Sequence, residues 1–66
     1  MSTAYLKGGK IVCGTRMFDV ASVVGIVSTD AGTSITLRSG ESALVGDCPE
    51  FYYSLRDACP WAIAVQ

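Results

Sequence analysis

The side chains of this 66-residue chain that could carry chemistry are three cysteines and six carboxylates. The chain contains no histidine, so a general base would have to be a carboxylate or a thiolate. The acids stand singly, mostly at predicted turns and helix ends, where hydrogen bonds to the backbone explain them. They are Asp19, Asp30, Glu41, Asp47, Glu50 and Asp57. Because catalysis also needs a pocket that so short a chain does not easily form, we expect a non-enzyme without a small-molecule substrate.

The cysteines predict neither a metal site nor a cofactor. Cys13, Cys48 and Cys59 form no Cys-x-x-Cys pair and have no histidine to complete a zinc site, and an odd count leaves at least one thiol free. Cys48 is the candidate reactive thiol, because it lies near the start of a predicted helix, where the helix dipole lowers a thiol pKa. Packing in the first turn is the alternative role for Cys48. We expect Cys13 and Cys59 to act as small buried hydrophobes.

The aromatic residues predict a partner-binding patch. Phe51, Tyr52 and Tyr53 are consecutive and would span about 200° of a helix, so at least one tyrosine must point outward. Arg56 lies one turn after Tyr52, and tyrosine with arginine is typical of protein contacts. The predicted patch is therefore Tyr52, Tyr53 and Arg56. Trp61 is expected in the core instead.

Length and composition indicate one domain, residues 1–66, that associates with itself. A chain of this mass should expose about 4,000 Å² when folded and hide only about 60% of its unfolded surface. Half of the residues are hydrophobic and only 17% are charged, which is unusual for so small a surface. We therefore expect a homo-oligomer and a protein partner.

The net charge of −1 and the absence of a basic run disfavour nucleic acid as a partner. The alternative is a nucleic-acid-associated regulator that uses Lys7, Lys10, Arg16 and Arg38. No apolar segment approaches the ~20 residues of a membrane span, and the first residues lack the pattern of a signal peptide. We expect no membrane span and a reducing, cytoplasmic location.

Short runs rich in Val, Ile and Thr, separated by glycine-containing turns, predict strands joined by hairpins. A two-residue Gly8-Gly9 turn would place Lys7 opposite Lys10. Residues 20–28 read as a central strand, followed by a three-residue Asp30-Ala31-Gly32 loop. A two-residue Ser39-Gly40 loop would then pair Arg38 with Glu41 and Ile35 with Leu44.

After these strands, the spacing of apolar residues changes from the alternation of a strand to the three- or four-residue spacing of a helix. Asp47 as N-cap, Pro49 in the first turn and Glu50 predict a helix that ends before Pro60. Its apolar stripe of Phe51, Leu55 and either Ala58 or Cys59 should face the sheet. Trp61, Ile63 and Val65 then share one face of a closing strand.

These strand and turn residues resemble the small flagellar FlbD family. The likeness lies in residues 5–10, 23–26, 33–41 and 43–45, including the Ile35-Thr36-Leu37 hairpin, and these segments are spread over about two-thirds of the chain. More distantly, the chain resembles the strand core of LytTR-type DNA-binding domains, although the basic loops of that family have no counterpart here. The resemblance implies a small non-catalytic module and assigns no site residues.

The predicted fold is α+β: a small bent antiparallel sheet of four or five strands, one helix near the C-terminus and a short final strand. The predicted function is a non-catalytic protein-interaction module, a regulator or inhibitor that acts by surface binding. LytTR-like nucleic-acid binding is the alternative, and thiol redox chemistry at Cys48 is the third possibility.

Overall fold

The computed structural model describes residues 4–46 and 49–65. The elements in chain order are β1 (Ala4–Lys7), β2 (Lys10–Cys13), β3 (Arg16–Asp19), a 3-10 turn (Val20–Ser22), β4 (Val23–Thr29), β5 (Gly32–Leu37), β6 (Ser42–Val45), α1 (Glu50–Ala58) and β7 (Ile63–Val65). The α+β class is correct. However, a sheet of three strands and a sheet of four replace the single predicted sheet.

The three-stranded sheet is an antiparallel meander in the order β1-β2-β3. The Gly8-Gly9 turn sets the predicted register, with Lys7 opposite Lys10. Leu6, Ile11 and Phe18 are partners across the three strands, and Ile11 is fully buried on the inner face. Strand β3 was not predicted.

The central strand begins later than its sequence indicates. Residues 20–22 form the 3-10 turn, and β4 starts at Val23. The Val20 N–H donates a hydrogen bond of 3.0 Å to the Gly9 carbonyl oxygen in the first hairpin turn. This turn therefore connects the two sheets, because its Val20 N–H bonds to the first hairpin while its Ser22 carbonyl oxygen accepts from the Arg38 N–H just after β5.

The second sheet has the order β6-β5-β4-β7, and the lengths of its two hairpin loops are the reverse of those predicted. The β4–β5 loop has two residues, since Thr29 pairs with Gly32. The β5–β6 loop has three, closed by a hydrogen bond of 2.7 Å from the Leu37 N–H to the Glu41 carbonyl oxygen. Arg38 lies in this loop, so its predicted pairing with Glu41 is wrong.

The extra loop residue shifts the β5–β6 register by one position. Ile35 pairs with Ala43 rather than with Leu44. Because side chains alternate along a strand, a one-residue shift reverses the faces. Ala43 and Val45 are consequently buried, whereas Leu44 points outward and is 54% exposed.

Helix α1 crosses from β6 to the opposite edge of the same sheet and packs on β4 and β1. The predicted stripe is confirmed, because Phe51, Leu55 and Cys59 are buried. The predicted N-cap, Asp47, lies outside the described residues. The closing strand is present as β7, but it runs parallel to β4 because the helix supplies a crossover connection.

The two sheets and the helix enclose one hydrophobic core. Its members are Ala4, Ile11, Phe18, Val20, Val23, Ile26, Ile35, Leu37, Ala43, Val45, Phe51, Tyr52, Leu55 and Cys59. Trp61 is not among them, so its predicted place in the core is wrong. Its side chain is 54% exposed, and only its indole N–H is held by the backbone.

Candidate interaction surfaces

The two tyrosines of the predicted helix patch have opposite environments. Tyr53 is 39% exposed, so the expectation that at least one tyrosine points outward is confirmed. Tyr52 is only 1% exposed and belongs to the core, so Tyr53 is the outward-pointing tyrosine of the predicted patch. The physical reason is the position of Tyr52 beside Phe51 and three residues before Leu55, both of which face the sheet.

The Arg56 guanidinium lies close to the rings of both tyrosines. The guanidinium carbon lies 5.1 Å from the centre of the Tyr53 ring and 5.9 Å from that of Tyr52. The two rings meet edge to face, with centres 5.4 Å apart. The structure thus brings the three predicted residues together, with Tyr52 as a buried support beneath an exposed Tyr53 and Arg56. We call the exposed pair the helix patch, and its role in binding stays a prediction.

The four cations of the nucleic-acid alternative are largely engaged within the chain. Lys10 forms an ion pair with Asp19. Arg16 lies 3.7 Å from a Glu41 oxygen and 4.7 Å from the centre of the Phe18 ring. A guanidinium nitrogen of Arg38 donates a hydrogen bond of 3.3 Å to the Ala21 carbonyl oxygen. Carboxylates therefore lie beside two of the four cations, which lowers their combined attraction for phosphate.

The described thiols lie in packed surroundings. Cys59 is buried, and its Sγ–H donates to the Val20 carbonyl oxygen over 3.8 Å. Burial raises the pKa of the Cys59 thiol, since desolvation disfavours the thiolate. Cys13 is half-buried against the core. Cys48, the predicted reactive thiol, lies outside the described residues.

Within residues 4–46 and 49–65, no group of three or more Cys, Asp or Glu side chains could hold a metal ion. Asp19 and Glu41 are occupied by the cations named above. The carboxylates of the described part of the chain are thus distributed among ion pairs and exposed positions.

The outward side of the four-stranded sheet is a surface that was not predicted from the sequence. None of its four strands contains an Asp, Glu, Lys or Arg. The register places Val65, Val27, Ser34 and Leu44 in one row across it. We call this side the outer face; its residues are Gly25, Val27, Ser34, Thr36, Ser42, Leu44, Ile63 and Val65. Three of its large aliphatic side chains, Leu44, Ile63 and Val65, are at least half exposed.

A signal for the outer face is present in the sequence. Residues 20–29 and 32–37 are two uncharged stretches separated only by Asp30 and Ala31. Outward positions of an antiparallel sheet are ordinarily polar. A pair of strands without charged residues therefore predicts that the outward side contacts another surface as well as water. The incorrect β5–β6 register concealed this signal, because it assigned Leu44 to the core.

Strand β7 forms one edge of this sheet and is the most exposed strand in it. Ile63, Ala64 and Val65 are all exposed, and Ile63 reaches 74%. The other edge strand, β6, instead alternates, with Ala43 and Val45 buried. An exposed apolar edge is a template for pairing with another strand.

Comparison with models of protein families, with curated proteins and with solved structures found no match. The likeness to the FlbD family therefore stays a prediction. Within the described residues, no helix is both long enough and apolar enough to cross a membrane.

Proposed function

We propose that this chain is a small non-catalytic protein-interaction module that works as a homo-oligomer and regulates a partner by covering part of its surface. The observation that carries the proposal is the uncharged outer face with its exposed aliphatic side chains. Contiguous apolar surface on a small protein typically marks a contact with another macromolecule.

The distribution of charge supports this reading. The three-stranded sheet carries Lys7, Lys10, Arg16 and Asp19 on its strands, whereas the four-stranded sheet carries no charge at all. Removing aliphatic surface from water is favourable, and no charged group of these strands would have to be desolvated. A contact on this side therefore gains burial at little electrostatic cost.

The helix patch supplies a second surface, separate from the outer face. Tyr53 and Arg56 are residue types enriched at the centres of protein interfaces. The buried Tyr52 ring beneath them limits their motion, which reduces the entropy lost on binding. Self-association through the sheet and partner binding through the helix are thus compatible in one small domain.

Sedimentation equilibrium over a range of micromolar concentrations tests the proposal. We expect a mass above the 6.9 kDa of one chain, with a fraction of oligomer that rises with concentration. The midpoint of thermal unfolding should also rise with concentration, because association stabilises the folded state by mass action. A single mass of one chain at every concentration would contradict the proposal.

A further inference from the structure

We infer that two copies of this chain associate by antiparallel pairing of their β7 strands, with a two-fold axis at Ala64. This inference rests on the proposed self-association and specifies its contact. It joins the two four-stranded sheets into one continuous sheet that extends across both copies.

The open edge of β7 is the first observation. One side of β7 pairs with β4, and no strand among the described residues pairs with its other side. Backbone N–H and C=O groups along such an edge are satisfied by water or by another strand. Edge strands are commonly protected by charges, proline or a bulge, and the sequence Ile63-Ala64-Val65 contains no charge and no proline.

The remaining edges are less suited to pairing. Strand β1 carries Lys7, and β3 carries Arg16 and Asp19, which is the usual charge protection. Strand β6 is uncharged, but only Ser42 and Leu44 of its four residues are exposed, so pairing at β6 would bring fewer exposed aliphatic side chains together. Strand β7 alone combines an uncharged sequence with exposure of every described residue.

The strand is also complementary to itself. In an antiparallel pair centred on Ala64, Ile63 of each copy lies opposite Val65 of the other. Both cross-strand pairs are aliphatic, and such pairs stabilise a sheet. No like charges meet at the axis. A two-fold contact of this kind uses the same patch on both copies, which is the commonest arrangement of homodimers.

The interface must extend beyond the strand edge. A standard interface covers about 800 Å² on each partner, roughly one fifth of the 4069 Å² surface of this chain. Trp61, two residues before Ile63 in the chain, adds an aromatic side chain that is 54% exposed. Its indole is held by the Val23 carbonyl, so little side-chain freedom remains to be lost on association. We therefore expect Trp61 to be the anchor beside the paired strands.

Two double variants with charges at the same positions test the contact. In I63K/V65K, like charges lie opposite each other twice, and we expect the dimer dissociation constant to rise by about tenfold or more. In I63K/V65E, each introduced lysine lies opposite an introduced glutamate of the other copy. We expect I63K/V65E to dimerise at least about tenfold more tightly than I63K/V65K, with a difference that shrinks at high salt.

Met17→Lys is the matched control, since Met17 is 63% exposed on the outer side of the other sheet. It should leave the dissociation constant unchanged. Far-UV circular dichroism checks that each variant is folded. Amide hydrogen exchange of the wild-type chain gives an independent readout, because residues 63–65 should exchange more slowly as concentration rises.

The outcomes separate this inference from the proposed function. A wild-type chain that is monomeric throughout would overturn both. A wild-type dimer whose affinity is the same in all three variants would overturn the β7 contact and leave self-association standing. Equal weakening in the two double variants would overturn the antiparallel register, and exchange at residues 63–65 that is independent of concentration would overturn the β7 contact.

Discussion

The indole N–H of Trp61 donates a hydrogen bond of 2.8 Å to the carbonyl oxygen of Val23, and this bond ties the segment before β7 to the first residue of β4. Val23 is fully buried. The exposed ring thus satisfies a backbone acceptor at the start of the central strand. Trp61 therefore helps to hold β7 against β4, although its side chain lies largely outside the core.

Replacing Trp61 by phenylalanine should destabilise the fold by about 0.5–1.5 kcal/mol. The substitution keeps an aromatic ring but removes the donor, and a hydrogen bond of this kind contributes about that amount. Urea unfolding followed by circular dichroism measures the effect. Tyr5→Phe changes an exposed aromatic residue on the other sheet and should cost less than about 0.5 kcal/mol. Equal costs for both variants would show that the Trp61 hydrogen bond contributes nothing.

The two tyrosines of α1 should respond differently to truncation. Tyr52→Ala opens a cavity in the core and should cost about 3–5 kcal/mol. Tyr53→Ala should cost about 1 kcal/mol or less, because Tyr53 lies at the surface and its removal leaves no buried cavity. If Tyr53 anchors a partner, Tyr53→Ala should also weaken binding by about 2 kcal/mol, roughly thirtyfold. Chemical unfolding and titration with a partner measure the two effects separately.

The one-residue shift between β5 and β6 predicts opposite results at neighbouring positions. Val45→Ala removes buried methyl groups and should cost about 2 kcal/mol. Leu44→Ala removes more atoms but should cost less than about 1 kcal/mol, because Leu44 points outward. A larger loss of unfolding free energy at Leu44 than at Val45 would contradict the observed register.

Gly46 should not tolerate a side chain. Its φ is 62°, and a Cβ there would lie 2.6 Å from Cδ2 of Phe51. Gly46→Ala should cost about 2–5 kcal/mol, from the left-handed backbone and from overpacking together. Gly14 is the matched control, with a φ of 63° and no atom within 4 Å of the position that a Cβ would take, so Gly14→Ala should cost only about 1–2 kcal/mol. The difference between their thermal midpoints isolates the contacts that a Cβ at Gly46 would make with Phe51 and Ala4.

The buried Cys59 thiol should make stability depend on alkaline pH. Its folded-state pKa is raised above the unfolded value, so the folded chain binds more protons between the two. The contribution of the protonated Cys59 thiol to the unfolding free energy is therefore complete below the unfolded pKa and is lost as pH rises through the folded pKa. Denaturant unfolding at several alkaline pH values should show a shallower decline for Cys59→Ala than for wild type. Cys13→Ala keeps the buried thiol and should decline as wild type does.

Local patterns predicted the parts of the fold that depend on neighbouring residues. The Gly8-Gly9 turn set the Lys7–Lys10 register, and the spacing of Phe51, Leu55 and Cys59 identified the buried side of α1. Loop lengths were less accessible, because glycine fits both two-residue and three-residue hairpins. The three-residue loop ending at Gly40 moved Leu44 from the predicted core to the outer face.

Long-range relationships were not accessible from the sequence. Nothing near Ile63 indicates that its strand runs parallel to β4, because that orientation is set by the path of α1 across the sheet. Tyr52, Tyr53 and Arg56 were predicted as one group, but the burial of Tyr52 depends on where α1 lies against β4 and β1. Predicting the outer face would have required both the correct β5–β6 register and the parallel pairing of β7 with β4.

The parallel pairing of β7 with β4 also orders the folding reaction in time. The Trp61–Val23 hydrogen bond joins residues that are 38 positions apart in the chain. The antiparallel strand pairs instead join strands that follow one another in sequence. Closing a long loop costs more entropy than closing a hairpin, so the two meanders should form before β7 docks. We therefore expect tryptophan fluorescence to follow the final docking step of folding, and far-UV circular dichroism to follow the earlier formation of the hairpins.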